Sequence, residues 1–172
     1  MNIRIAGIIK FDRLVNGKLA GFGKPGLKTI LAIITQLGSG PFWGAAYGCI
    51  FIFGPKALRL MLPAVIEAEL VTLVIIITLR YLTRRQRPRP ERGGGPLAPW
   101  NRYSFPSHHS ARMIMLSVVF GARHGGSLAG MFPAAVLIGL SRLYLGKHFL
   151  SDVLAGAAVG GLVAAAALCL NA

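Results

Sequence analysis

Leu60 to Leu79 reads LMLPAVIEAELVTLVIIITL, a run whose only charges are Glu67 and Glu69, and it leads straight into RYLTRRQRPRPER, residues 80 to 92. A helix needs roughly 20 predominantly apolar residues to cross a hydrocarbon core, so this stretch is long enough to span. Arginines crowded at one end anchor such a helix among headgroups. The rest of the chain agrees with that reading. Of 172 residues, 54% are hydrophobic and only 14% are charged, too few for a surface wetted on every side. Mean hydropathy is +0.61, which excludes a disordered polyelectrolyte. Lys and Arg nevertheless outnumber Asp and Glu by 19 to 5, a formal charge of +14. Such an excess suits anionic headgroups, phosphorylated substrates or nucleic acid, and the placement of the charges decides among them.

On either side of that run the chain repeats the pattern. Between Lys28 and Lys56 no residue is charged, and Gly38-Ser39-Gly40-Pro41 breaks the stretch. We expect a surface-lying helix to about Leu37 and a span from Pro41 to Phe53. Further spans are expected at Phe105 to Ala122, Ser127 to Leu140 and Phe149 to Leu170, separated by the Pro/Gly-rich GGGPLAPWNRY and a turn at Arg123-His124-Gly125-Gly126. The fold class is therefore all-α, a polytopic transmembrane bundle of about five spans. Residues 1–37 form an N-terminal basic, amphipathic interfacial segment, and 38–172 form the membrane-embedded domain. The start has no clean apolar core or small-residue cleavage site, so no signal peptide is read. Cys49 and Cys169 lie in apolar runs and read as packing residues. Gly156 and Gly160 have the GxxxG spacing of close helix approach, read here as packing inside the bundle. Glu67 and Glu69, costly within a span, read as structurally paired or facing a lateral cleft.

Alternation of the spans puts only Lys56, Arg59 and Arg123 on one face, leaving 16 of the 19 basic residues on the other. Three polar clusters share that basic face: Arg80 with Arg87-Pro88, Pro106-Ser107-His108-His109, and Ser141-Arg142 with His148 and Asp152. If the last helix begins near Lys147, His148 and Asp152 share a face at i, i+4. The carboxylate then holds the Nδ1 proton and leaves Nε2 bare as nucleophile or base, as in hydrolytic triads. The plainer reading is that Asp152 caps the helix, helped by Ser151. Arg80, Arg87 and Arg142 offer multi-donor forks for phosphate oxygens and Ser107 a hydroxyl. His109 supplies a second imidazole, able to protonate a leaving alkoxide and then take a proton from water. Arg84, Arg85, Arg89, Arg92 and Arg102 read as a solvated basic rim at the leaflet surface.

In this sequence RYLTRRQRP (Arg80 to Pro88), PSHH (Pro106 to His109) and SRLYLGKHFLSD (Ser141 to Asp152) resemble the three motifs KxxxxxxRP, PSGH and SRxxxxxHxxxD of the type 2 phosphatidic acid phosphatases. The resemblance covers about Leu60 to Leu170. It implies a lipid phosphatase in which His148 attacks phosphorus to form a phosphohistidine, oriented by Asp152. His109 would act as acid and then base. Arg80, Arg87, Ser107, Arg142 and the backbone N–H of His108 would bind the phosphate, with no metal or other cofactor. Arg80 stands where the family usually has Lys, keeping the charge on a longer planar group. His108 stands where Gly is usual. Its amide donor survives, and its imidazole is expected to crowd the phosphate, reshape specificity or compete for the acid role.

The expected partners are a lipid phosphate and the bilayer. Phosphatidic acid, phosphatidylglycerol phosphate, a polyprenyl phosphate or diphosphate and a phosphorylated saccharolipid all suit a site at the interface. Nucleic acid is not expected, because the sequence has no reader motif and no basic stripe on a soluble domain. Rival readings are a phosphotransferase or vanadate-dependent enzyme on the same site, and a lipid-binding protein disabled at His108. Counting positive charges puts the basic face in the cytoplasm, on an inner cell membrane.

Overall fold

Prolines, glycines and capping side chains set where each helix starts and stops. The computed structural model describes residues 3–21, 24–89, 102–123 and 125–170. The GGGPLAPW stretch with Arg92 and Trp100, and His124, lie outside them. The described helices are α1 (Ile3–Gly21), α2 (Pro25–Ile34), α3 (Gly40–Phe53), α4 (Lys56–Thr83), α5 (His108–Arg123), α6 (Gly125–Tyr144) and α7 (Leu150–Leu170), with a 3-10 turn at Thr35–Gly38 between α2 and α3. Among the described residues there is no strand, only an isolated antiparallel bridge between Gln86 and Tyr103. The all-α class expected from hydropathy is the observed one.

The break expected at residues 38–41 is a helix start. Ser39 caps α3 by accepting from the Phe42 N–H at 3.4 Å, and Pro41 occupies the first turn, where its missing N–H costs nothing. Helix α4 is longer than the apolar run that announced it. It begins at Lys56, carries Pro63 and ends at Thr83, with Arg84 in the left-handed conformation at φ 48°. Arg80 is therefore a helical residue on the last turn. Two helices, α4 and α7, are long and apolar enough to cross a membrane by themselves, while α3 and Gly130–Tyr144 of α6 are apolar but shorter.

The expected spans at Leu60 to Leu79 and Ser127 to Leu140 are longer as helices, Lys56–Thr83 and Gly125–Tyr144, while two expected starts move later, both beside motif residues. Helix α5 starts at His108 and not Phe105, because proline disfavours helical backbone in the residue before it, and Phe105 precedes Pro106. Helix α7 starts at Leu150, after a turn in which Gly146 takes φ +67°. A Cβ there would also lie 2.8 Å from Arg89 Cδ. At the head of α7 the Phe149 N–H donates to Asp152 Oδ2 at 2.8 Å, the acidic half of a capping box.

Helix α5 is the centre of the bundle, packed most extensively on α7 and α6 and then on α4. Its contact with α7 depends on absent side chains. A Cβ on Gly156 would sit 2.3 Å from the Ser107 carbonyl oxygen, and one on Gly160 would sit 2.0 Å from that of Ala111. The GxxxG pair thus works inside the bundle, as expected. Around this seam Met61, Val65 and Ala68 of α4, Met115, Leu116, Val119 and Phe120 of α5, and Val163 and Ala164 of α7 form the main apolar core. Outward-facing Leu60, Val74, Leu154 and Leu162 are 60–72% exposed, apolar surface suited to lipid chains.

Candidate active site

The C-terminal ends of α4 and α6 and the N-terminal ends of α5 and α7 meet at one end of the bundle. All eight residues singled out in the sequence sit there: Arg80 on α4, Arg87 just after it, Ser107, His108 and His109 at the head of α5, Arg142 on α6, and His148 and Asp152 at the head of α7. Arg80, Arg87, Ser107, His108, Arg142, His148 and Asp152 are buried, and His109 is partly buried. Three arginines brought together at one end of the bundle make a strongly positive locus, which suits an anionic group.

At the centre is His148, wholly buried in the turn between α6 and α7. Its Nδ1 lies 2.8 Å from the Ser104 carbonyl oxygen and 3.7 Å from Asp152 Oδ2. A carbonyl oxygen only accepts, so Nδ1 carries the proton and Nε2 the lone pair. Nε2 is buried and has no hydrogen-bond partner. The expected geometry, with Asp152 holding Nδ1 along one helix, needs correction. Because α7 starts two residues after His148, the backbone of Ser104 holds the ring, while the carboxylate caps Phe149 and stands next to the imidazole at longer range. The capping role weighed for Asp152 is real. Burial, together with the charges of Arg142, Arg87 and Arg80, holds His148 well below the ordinary imidazole range, so the ring is neutral at neutral pH.

A backbone carbonyl holds the Arg80 side chain and a threonine hydroxyl that of Arg142. Arg80 donates from Nε and Nη2 to the Pro106 carbonyl at 3.4 and 3.3 Å, which ties the end of α4 to the PSHH turn. Arg142 donates to Thr35 Oγ1 at 3.3 Å, and its own carbonyl accepts from the N–H groups of Lys147 and His148 at 3.0 and 3.3 Å. The Ser107 N–H donates to the Asp152 carbonyl at 2.9 Å, joining the heads of α5 and α7. Ser107 Oγ interacts with Ser110 Oγ at 3.0 Å. His109 lies within electrostatic range of Arg142 and His148, and the backbone of Gly38 lies against its ring.

The imidazole of His108 does not crowd this centre. It turns toward α4, with Nε2 3.5 Å from Glu69 Oε1, and Glu69 also pairs with Arg112. Arg112 donates from Nε to Glu69 Oε1 at 2.7 Å and from Nη1 to the Gly38 carbonyl at 2.9 Å. Glu69 is thus structurally paired. Glu67 instead lines a lateral groove of about 300 Å³ with Ala64, Val71, Leu162 and Ala166.

Four contributors were not found in the sequence. Ser104 holds the nucleophile candidate through its carbonyl, which no side-chain pattern reveals. Arg85, assigned to a solvated rim, instead donates from Nη1 to Asp152 Oδ1 at 2.8 Å and from Nη2 to Asp12 Oδ2 at 2.6 Å. Asp12 and Asn16 bring α1 to the site. Asp12 is the only acid before Glu67, but a single acid in a basic N-terminal stretch does not reveal what it pairs with. Among the described residues no group of three or more His, Cys, Asp or Glu side chains is placed to hold a metal ion.

The helical bundle thus gathers buried arginines and two imidazoles at one end, and the chain belongs to the PAP2 superfamily, whose family model matches residues 59–172. Among individual proteins it is 36% identical over 91 residues to phosphatidylglycerophosphatase B of Bacillus subtilis, a stretch covering 45% of this chain and 43% of that one. The chain spans about half the length of the curated relatives it matches. In three dimensions it resembles the crystal structure of LpxE from Aquifex aeolicus, with TM-score 0.72, 27% identity, and 94% of each chain covered. It resembles equally a transmembrane PAP2 type phosphatidylglycerolphosphate phosphatase from Bacillus subtilis, with TM-score 0.72, 24% identity, and 96% of this chain and 86% of that one covered.

Proposed function

We propose that this protein is a lipid phosphatase that hydrolyses a phosphomonoester or diphosphate at the membrane surface through a phosphohistidine. One observation carries the reading: the bare, buried Nε2 of a neutral His148 beside Arg80, Arg87 and Arg142. Family membership and the lipid phosphatases among its relatives support it.

In the first step the Nε2 lone pair attacks phosphorus in line with the leaving oxygen. The P–O bond to the lipid breaks as the N–P bond forms, and His109, protonated once the bound phosphate's negative charge offsets the neighbouring arginines, gives its proton to the departing alkoxide or phosphate. Charge spreads over the equatorial oxygens, where Arg80, Arg87, Arg142, the Ser107 hydroxyl and the His108 N–H at the head of α5 stabilise it. The positive end of the α5 dipole acts in the same sense. As Nε2 becomes bonded, positive charge grows on the ring. The Ser104 carbonyl and the Asp152 carboxylate then interact more strongly with it than in the ground state. In the second step His109 takes a proton from water, the resulting hydroxide attacks phosphorus, the N–P bond breaks and phosphate leaves. The departing chain remains against the apolar outer faces of the bundle.

The full reading has five membrane crossings, α3 to α7, with the catalytic end in the cytoplasm, as the charge excess on that face favours. A test uses purified full-length protein in detergent with EDTA and a panel of dioctanoyl phosphatidic acid, phosphatidylglycerol phosphate, farnesyl phosphate and farnesyl diphosphate. We expect phosphate release from at least one, lost by about three orders of magnitude or more in His148→Ala. Release that strictly needs magnesium, or that survives His148→Ala, overturns the mechanism.

A further inference from the structure

Helix α1 carries one buried carboxylate on an otherwise exposed, basic helix. Asp12 is 1% exposed, while neighbours Phe11 and Leu14 are 58% and 51% exposed. It accepts from Arg85 Nη2 at 2.6 Å, from the Ser151 N–H at 3.0 Å and from Ser151 Oγ at 2.5 Å. Arg85 uses its other arm on Ser151 Oγ at 2.6 Å and Asp152 Oδ1 at 2.8 Å, and its guanidinium carbon lies 4.2 Å from the centre of the Phe149 ring. One turn along α1, Asn16 Nδ2 donates to the His148 carbonyl at 3.2 Å. Residues four apart on a helix share a face, so Asp12 and Asn16 together grip both sides of the His148–Asp152 segment.

We propose that Asp12 and Arg85 are positioning residues for the nucleophile: Asp12 fixes the Arg85 fork, Arg85 fixes the Asp152 carboxylate, and α1 thereby holds the His148 turn in its reactive register. A lone Arg85–Asp152 pair leaves the fork one anchor and a long side chain to swing about it. Two carboxylates at opposite arms remove that freedom, as bidentate geometry does elsewhere. Displacing a nucleophile by about 1 Å is enough to cost on the order of 100-fold in rate, so a device that removes slack at His148 has a catalytic consequence. The N-terminal segment is then a working wall of the site as well as a surface-lying element. It also borders a cavity of about 470 Å³ lined by Ile9, Arg13, Asn16, Arg85, Arg87 and Phe149.

This inference rests on the proposed phosphatase reading for its kinetic arm and on the fold alone for its second arm. Full-length wild type, Asp12→Asn and Asp12→Glu are compared in nanodiscs for phosphate release from dioctanoyl phosphatidic acid and for amide hydrogen exchange. Asp12→Asn should lower kcat about tenfold or more with KM within about twofold, because positioning acts on the transition state, and Asp12→Glu should recover part of the loss. Exchange should accelerate several-fold in the segment 145–152 and stay unchanged in the centres of α5 and α7. Unchanged kcat, or acceleration spread over the whole bundle, overturns the proposal. If the wild type releases no phosphate from this lipid or from the rest of the panel, the functional reading fails, and the exchange arm still decides the positioning claim. If Asp12→Asn does not accumulate, Arg85→Lys, which keeps the charge and loses the fork, gives the same two measurements.

Discussion

His148 shows how far a residue can be read from its neighbours in sequence. The chemistry was legible: SRLYLGKHFLSD supplies an imidazole, a carboxylate and a cation at spacings that serve phosphoryl transfer. The hydrogen bond that sets the tautomer was not. It comes from a backbone carbonyl 44 residues away, and every residue type carries a carbonyl. Burial and three arginines depress the His148 pKa, so protonation of this group limits activity only below the ordinary imidazole value of about 6.5. Removing one cation relieves part of that field, stabilises the imidazolium and raises the pKa. Arg87→Gln should therefore move the acid limb of the kcat/KM profile to higher pH, quite apart from lowering its height. A limb that stays put, or moves to lower pH, contradicts the electrostatic account. The imidazole of His108 is engaged with Glu69, so His108→Gly should leave the acid role with His109. Phosphate release should then keep the same pH dependence on the basic side.

For the helices, hydropathy found the five apolar ones, read the N-terminal segment as one helix where there are two, and misjudged the ends next to the site. Those ends are decided by Pro106, by the positive φ of Gly146 and by the Phe149–Asp152 cap, local chemistry that an apolar run does not record. The α5–α7 seam was partly visible, since GxxxG predicts close approach, but the partner helix had to come from the fold. Gly156→Ala puts a methyl against the Ser107 carbonyl and must push aside a residue proposed to bind phosphate. Overpacking of this kind costs about 1–3 kcal/mol, so we expect both a lower melting temperature in detergent and reduced kcat. Gly161→Ala, five positions along the same helix with its nearest atom at 4.0 Å, serves as the tolerated control. The α4–α5 contact depends on charge instead. Glu69→Gln leaves Arg112 and its buried surroundings without a counter-ion, and loss of one partner of a buried pair costs about 3–5 kcal/mol. A melting temperature within a degree or two of wild type contradicts that assignment.

At the scale of the whole molecule, the bundle brings distant motifs to one end and leaves apolar flanks for lipid. Composition predicted that division; it did not predict that the N-terminal helix reaches the nucleophile turn, because one Asp in a basic stretch carries no periodic signal. The proposed topology, five crossings with the catalytic end inside, predicts an N-terminus in the cytoplasm and a C-terminus outside. In a bacterial inner membrane, alkaline phosphatase fused after Ala172 should be active and a green fluorescent protein fused there dark; the reverse pattern contradicts the orientation. The account depends most on a covalent bond between phosphorus and one ring nitrogen. Rapid acid-free quenching of the full-length protein with a radiolabelled lipid phosphate, followed by peptide mapping, tests it directly. The account predicts an acid-labile, base-stable phosphoryl group on the peptide containing His148, absent from His148→Asn. Steady turnover with no label on that peptide, or with label on another residue, would contradict it.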